Sequence, residues 1–276
     1  MVNCLFKSWK DIIQNSIVEF YNDIGDSGFI VGSFHDAELF IDPKDIDVAI
    51  IFDYLDTEML RVAIERAELL SQKLSNNFDS INFIPEFKQG PIKLANNNKQ
   101  KQIHFFFFEY SAIQRKKGHP FLCSWLMNNS RLFGKELSQI INVRGIDRKV
   151  LINDINNTIT SISQGKIWYW EFYQKENKNK LKMKMEWQNV NSRNQYLELI
   201  RYSRHIIRSF LLYLTENDSS KSQLLISESN RILELELYNR THNEIVESKR
   251  FTFDKEVFHI LNFLHTATNY LSKLKA

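Results

Sequence analysis

The chain is poor in the residues that interrupt regular structure. Its 276 residues include only 8 Gly and 4 Pro, which predicts long regular elements, mostly helices, and few extended loops. Cysteine is nearly absent: Cys4 and Cys123 stand alone, without Cys-x-x-Cys spacing. That excludes a disulfide framework and a cysteine zinc site, and predicts a reducing, cytoplasmic compartment. No apolar run approaches the roughly eighteen residues that cross a bilayer. The N-terminal MVNCLFKSWKDIIQNS has no basic segment leading into an apolar core, so neither a membrane partner nor a signal peptide is expected. Net charge is also small, at +3, but unevenly divided. Residues 1–145 hold 16 Lys/Arg against 18 Asp/Glu, and residues 146–276 hold 20 against 15. The basic half admits an anionic partner or substrate without demanding one.

What is present in quantity is apolar. Hydrophobic residues make up 43% of the chain, with 21 Phe and 10 Tyr, enough for a large core in one domain or two. Residues 5–24 carry Trp9, Ile12, Ile13, Ile17, Phe20 and Tyr21 at helical spacing, and Asn22-Asp23 closes that helix. A short strand runs to Gly32 and a second from Asp45 to Phe52. Asp56 caps a helix through Leu60, Ala63, Ala67, Leu70 and Leu74, with Glu58 in its first turn. Ile81–Ile84 and Ile92–Leu94 read as short strands, and Asn96–Lys101 as a hairpin turn. Ile103–Phe108 does not alternate and reads as a strand buried on both faces. A helix is expected at Leu122–Met127 and a last strand and turn at Arg131–Leu137. This is an α+β pattern, a mixed sheet backed by helices, over residues 1–145. Residues 146–276 predict an all-helical second domain, with helices at 149–164, 193–215, 226–239 and 254–274.

The most informative stretch is FIVGSFHDAELFIDPKDIDVAIIFD, from Phe29 to Asp53. A short apolar strand ends in Gly32-Ser33, whose free N–H groups and hydroxyl suit phosphate oxygens. Thirteen residues after Gly32, Asp45-Ile46-Asp47 opens an apolar strand. Period two puts both carboxylates on one face, where they repel and lose solvation unless a cation sits between them. Divalent ions are held by such carboxylates together with substrate phosphates.

That ordered pair of motifs resembles the nucleotidyltransferase superfamily of polymerase-beta type, whose signature is an apolar-Gly-Ser turn followed by Asp-apolar-Asp on a strand. The order of elements in residues 1–145 is also that family's. The resemblance implies a Mg2+- or Mn2+-dependent enzyme that moves a nucleoside monophosphate from a triphosphate to an acceptor. Asp45 and Asp47 would then bind metal, and Gly32 and Ser33 the outer phosphates. It further implies a compact enzyme of the kind found in stress, toxin–antitoxin or antiphage defence modules. The competing reading is a catalytically inactive nucleotide-binding or scaffold protein on the same fold.

The chain departs from the family pattern in two places. The third carboxylate that the resemblance implies is replaced by His104 on the strand Ile103–Phe108, with Glu86 and Glu109 as the other candidates. His104 reads either as a neutral general base or as a satisfied core histidine. The arginine that follows Gly-Ser in many relatives is also missing, since the sequence there is Phe34-His35-Asp36-Ala37-Glu38. Cations for a triphosphate are then sought on 193–215. There Arg201, Arg204, His205 and Arg208 form a basic stripe opposite Leu197, Ile200, Ile207, Leu211 and Leu214. The stripe is either a phosphate contact or a solvated face. Lys175, Lys178, Lys180, Lys182 and Lys184 lie beside the aromatic run Trp168–Tyr173, which suits either a nucleic-acid strand or a solvated loop over core aromatics. Paired helical ribonuclease domains carry Arg, four to six residues, then His. Arg201/His205 and Arg115/His119 are too closely spaced, so that function is excluded. A basic C-terminal half also argues against a cationic aminoglycoside and for a nucleic-acid, nucleotide or protein acceptor.

Overall fold

The computed structural model describes residues 2–34, 45–78, 81–90, 99–115, 118–141, 145–174, 181–190, 193–215, 231 and 253–274. The chain begins with helix α1 (Val2–Tyr21), then strand β1 (Ser27–Val31), which runs into a tight 3-10 turn at Gly32–Phe34. Strand β2 (Asp45–Phe52) and helix α2 (Thr57–Asn77) follow, then β3 (Asn82–Glu86), β4 (Gln100–Glu109), α3 (Tyr110–Arg115), α4 (Pro120–Met127), β5 (Asn129–Gly134) and α5 (Leu137–Ile140). Helix α6 (Arg148–Gln164) leads to strands β6 (Lys166–Gln174) and β7 (Leu181–Asn189), and two long helices, α7 (Arg193–Thr215) and α8 (Phe253–Lys273), follow.

Five strands form one mixed sheet in the order β3-β4-β2-β1-β5. β3, β4 and β2 run parallel, while β2, β1 and β5 pair antiparallel. Helices cover both faces, which is why β2 and β4 are apolar without alternation. Ile46, Val48, Ile50 and Phe52 of β2, with Ile103, Phe105 and Phe107 of β4, face α1 and α2 in the larger core cluster. Ala49 and Ile51, with Phe108, face Ile113 of α3, Leu122 and Trp125 of α4 and Leu137 of α5. Asp45, Asp47 and His104 share the parity of this second set and so lie on the α4 side of the sheet.

Local signals act as the sequence predicts. Asp56 caps α2, its side chain accepting from the Met59 N–H at 2.8 Å. Leu60, Ala63, Ala67, Leu70 and Leu74 are its buried stripe. Two expectations are corrected. Residues 146–276 are not all helical: 166–189 is an antiparallel hairpin, with Trp168 opposite Trp187 and Trp170 opposite Met185. β7 alternates apolar residues with polar or charged ones, β6 is an aromatic run, and aromatics fill a pleated surface better than a helix face. Lys182 and Lys184 therefore stand on a strand, Lys184 paired with Glu171 and Glu186 at 3.2 and 2.8 Å. The second correction concerns the turn expected at Asn96–Lys101: Gln100 and Lys101 already belong to β4, whose neighbours on either side, β3 and β2, run parallel to it, while 96–98 lie outside the described residues. The last strand of the sheet starts at Asn129, earlier than Arg131. The expected strand Ile92–Leu94, most of the helix 226–239, and Lys175, Lys178 and Lys180 lie outside the described residues.

α6, α7 and α8 meet in a core of their own around Leu151, Ile155, Leu199, Ile206, Phe210 and Phe263. Phe210 and Phe263 stack edge to face at 5.8 Å. The buried stripe of α7 thus runs through Leu199, Ser203, Ile206 and Phe210, with Ile207 and Leu211 at its margin. Ile207 and Leu211 of the expected stripe are thus buried, and Leu214 packs against the same core; the side chains of Leu197 and Ile200 lie outside the described residues. Among the described residues no helix is long and apolar enough to cross a membrane.

Candidate metal centre

β2 and β4 pair in parallel with Asp45 opposite Gln102 and Asp47 opposite His104. This register brings two carboxylates and an imidazole together on one face. One ligand atom from each of Asp45, Asp47 and His104 lies within 4.8 Å of the others. Donors around a single ion with bonds of about 2.1 Å sit roughly 3–4 Å apart, so a small closure brings all three onto one cation. Asp45 is 7% exposed and His104 5%. A carboxylate as enclosed as Asp45 loses most of its hydration, a loss that a bound cation offsets, while the Asp47 side chain stays 25% exposed.

The orientation of the imidazole is set by the backbone. His104 Nε2 meets the Lys88 carbonyl, which can only accept, so Nε2 carries the proton and Nδ1 faces Asp47 Oδ1 at 3.5 Å. A backbone carbonyl behind a histidine is the usual device for presenting the other nitrogen to a metal. Burial pushes the His104 pKa down. The Asp47 carboxylate, the Lys88 carbonyl and Asp45 together outweigh it and hold the pKa above the ordinary value.

The Lys88 carbonyl is itself held from two sides. Glu86 Oε1 accepts from the Phe87 and Lys88 N–H groups, each at 2.8 Å. Gln89 exchanges two backbone hydrogen bonds with Trp170 of β6, at 2.9 and 2.6 Å. Gly90 follows at φ +154, and a Cβ there would lie 2.7 Å from the Trp168 carbonyl oxygen. The hairpin at 166–189 therefore supports the segment that aims His104.

Gly32 brings its backbone close to one carboxylate of the triad, that of Asp47. Its φ is +76, and a Cβ on it would stand 2.8 Å from Asp47 Oδ2. Only glycine allows both the left-handed turn and that approach. Its N–H, expected from sequence to be free for phosphate, instead donates to the Asn128 carbonyl of the neighbouring segment at 3.2 Å, and Phe34 at the end of the turn packs edge to face on Trp9 at 5.2 Å. Ser33 lies in the same turn, its side chain outside the described residues.

Of the residues singled out from sequence, Asp45, Asp47, His104 and Gly32 come together. Glu86 is level with His104 in the sheet, but its carboxylate is engaged by the backbone of the next turn. Glu109 pairs with Phe52, at the far end of β4 and on the opposite face, and accepts from Ser111. Arg201, Arg204 and Arg208 are on α7, which packs on α6, α8 and α4. The side chains of Arg201 and Arg204 lie outside the described residues, and Arg208 is half-buried. The sequence reading missed Lys88 and Gly90, which act through backbone atoms and so leave no side-chain signal. It also missed Gln102, which period-two counting from His104 would have found.

Compared with protein-family models and with curated protein sequences, the chain matches none.

Proposed function

We propose that the protein is a divalent-metal-dependent nucleotidyltransferase, moving a nucleoside monophosphate from a triphosphate to a nucleic-acid, nucleotide or protein acceptor. The observation that carries this reading is the register of three strands. Asp45 and Asp47 on β2 face His104 on β4, while the Gly32 turn that ends β1 presses its backbone on the Asp47 carboxylate. A metal site and a turn suited to phosphate thereby adjoin, as nucleotidyl transfer requires.

Asp45 and Asp47 would hold the ion, with His104 Nδ1 as the third donor in place of a carboxylate. When bound, a divalent ion neutralises triphosphate charge and favours the attacking hydroxyl. Ser33 and the donors of the turn other than the Gly32 N–H hold outer phosphate oxygens, and Arg201, Arg204 and Arg208 of α7 supply the remaining positive charge. His104 is read as a ligand and not as the general base, because one nitrogen is committed to Lys88 and the other faces Asp47.

A second reading has a specific observation in its favour. An imidazole in place of the third carboxylate removes a negative charge from the centre, which fits a protein that binds nucleotide without turning it over. Incubation with Mg2+ or Mn2+ and each labelled triphosphate separates the two. Pyrophosphate release that disappears in Asp45→Ala/Asp47→Ala supports the transferase, and nucleotide binding without release under either ion establishes the binding protein.

A further inference from the structure

One enclosed group beside the triad is left without a role by the chemistry above. Gln102 is 1% exposed, and its side-chain carbonyl oxygen Oε1 is buried with no hydrogen-bond partner. It stands directly opposite Asp45 in the β2–β4 pair. Strand periodicity puts it on the same face of β4 as His104, whose ring packs 4.4 Å from that of Phe106 on that side. Residues paired on one face have Cβ atoms about 5 Å apart, so the Gln102 and Asp45 side chains leave neighbouring positions on this face.

A buried acceptor without a donor is costly by itself, and a neighbouring carboxylate adds repulsion. Sequence chemistry offers easy relief, since Leu or Met at this position would fill similar space with no lone pairs. A divalent cation removes both penalties, because amide oxygens are ordinary ligands of such ions. We propose that Gln102 Oε1 is a fourth donor of the cation site, joining Asp45, Asp47 and His104 Nδ1. Two carboxylates, one imidazole and one amide oxygen make a mixed O/N set suited to Mn2+ and its neighbours among the first-row transition ions. The inference rests on the cation site of the proposed function and is independent of whether nucleotidyl transfer occurs.

The test is Mn2+ binding to the full chain after chelator treatment, followed by the free-ion EPR signal. Gln102→Met, which keeps volume and removes the donor, is expected to weaken Mn2+ binding about tenfold or more. Without metal the same variant should unfold at or above the wild-type temperature, since the orphaned acceptor is gone. Gln102→Glu should bind as tightly as wild type or more tightly, and it decides the matter if Gln102→Met fails to fold: weaker binding then overturns the proposal. Wild-type affinity in Gln102→Met alongside lost binding in Asp47→Asn overturns it, as does a wild-type protein that binds no Mn2+. A protein that binds Mn2+ in a Gln102-dependent way but transfers no nucleotide leaves the fourth donor in place and removes the transferase reading.

Discussion

His104 Nδ1 stands 3.5 Å from Asp47 Oδ1, at the same register position on adjacent parallel strands. In the metal-free protein this pair holds the imidazole pKa above its ordinary value despite burial. The stability it contributes is complete below the unfolded pKa of about 6.5 and is lost as pH rises through the raised folded value. Denaturant midpoints of the metal-free protein should fall across that window. In Asp47→Asn the fall should shrink, and the His104 resonance should titrate at lower pH by NMR. An unchanged titration point would mean that Asp47 does not govern the imidazole.

The imidazole also sets metal preference. Magnesium takes oxygen donors in strict octahedral geometry, whereas imidazole suits later divalent ions. Wild type should favour Mn2+ over Mg2+, and His104→Asp should shift the ratio of the two affinities toward Mg2+ by about tenfold. Competition calorimetry measures it, and equal ratios in the two proteins would exclude a ligand role for His104.

Gly32→Ala is expected to cost about 1–3 kcal/mol in stability, from the left-handed φ and the 2.8 Å approach to Asp47 Oδ2. Because the displaced atom belongs to a carboxylate of the triad, Mn2+ affinity should drop as well. Stability lost with affinity unchanged would separate the turn from the metal centre.

Gly90→Ala tests the support behind His104 without touching a ligand. A methyl there meets the Trp168 carbonyl oxygen at 2.7 Å and displaces the segment that carries the Lys88 carbonyl. The expected result is a folded protein with Mn2+ affinity reduced about tenfold, within the range for groups that orient a metal ligand. Wild-type affinity would show that the hairpin plays no part in aiming the imidazole.

Asp154 is a second pH-sensitive group, on α6 and not on the strands that carry the triad. Burial on α6 pushes its carboxyl pKa up to about 7. The folded state keeps a proton that the unfolded chain releases above about pH 4, so stability is lost as pH rises from there through 7. Asp154→Asn should flatten this decline and be more stable than wild type at pH 8 by roughly 1–4 kcal/mol, with little difference at pH 4. Urea unfolding at the two pH values measures it.

The sequence by itself determined the parts whose causes are local. The Asp45–Phe52 strand, the Asp56 cap, the buried stripe of α2 and the glycine turn at the end of β1 follow from periodicity, capping and backbone sterics over a few residues. The two carboxylates were legible because a strand repeats every second residue. Tertiary structure decided the rest. That His104 meets Asp47, that Gln102 stands opposite Asp45, and that Glu109 is level with neither are consequences of parallel register between strands some fifty residues apart. The hairpin at 166–189 became visible only through its pairing, since its aromatic run suits a helix or a strand until a partner strand is present. The support behind His104 is made of backbone atoms of 87–90 and 168–170 together with the Glu86 carboxylate, and the backbone part carries no sequence signal. What a residue does on its own chain segment could be read from one dimension; what it meets could not, because register is set by the packing of the whole sheet.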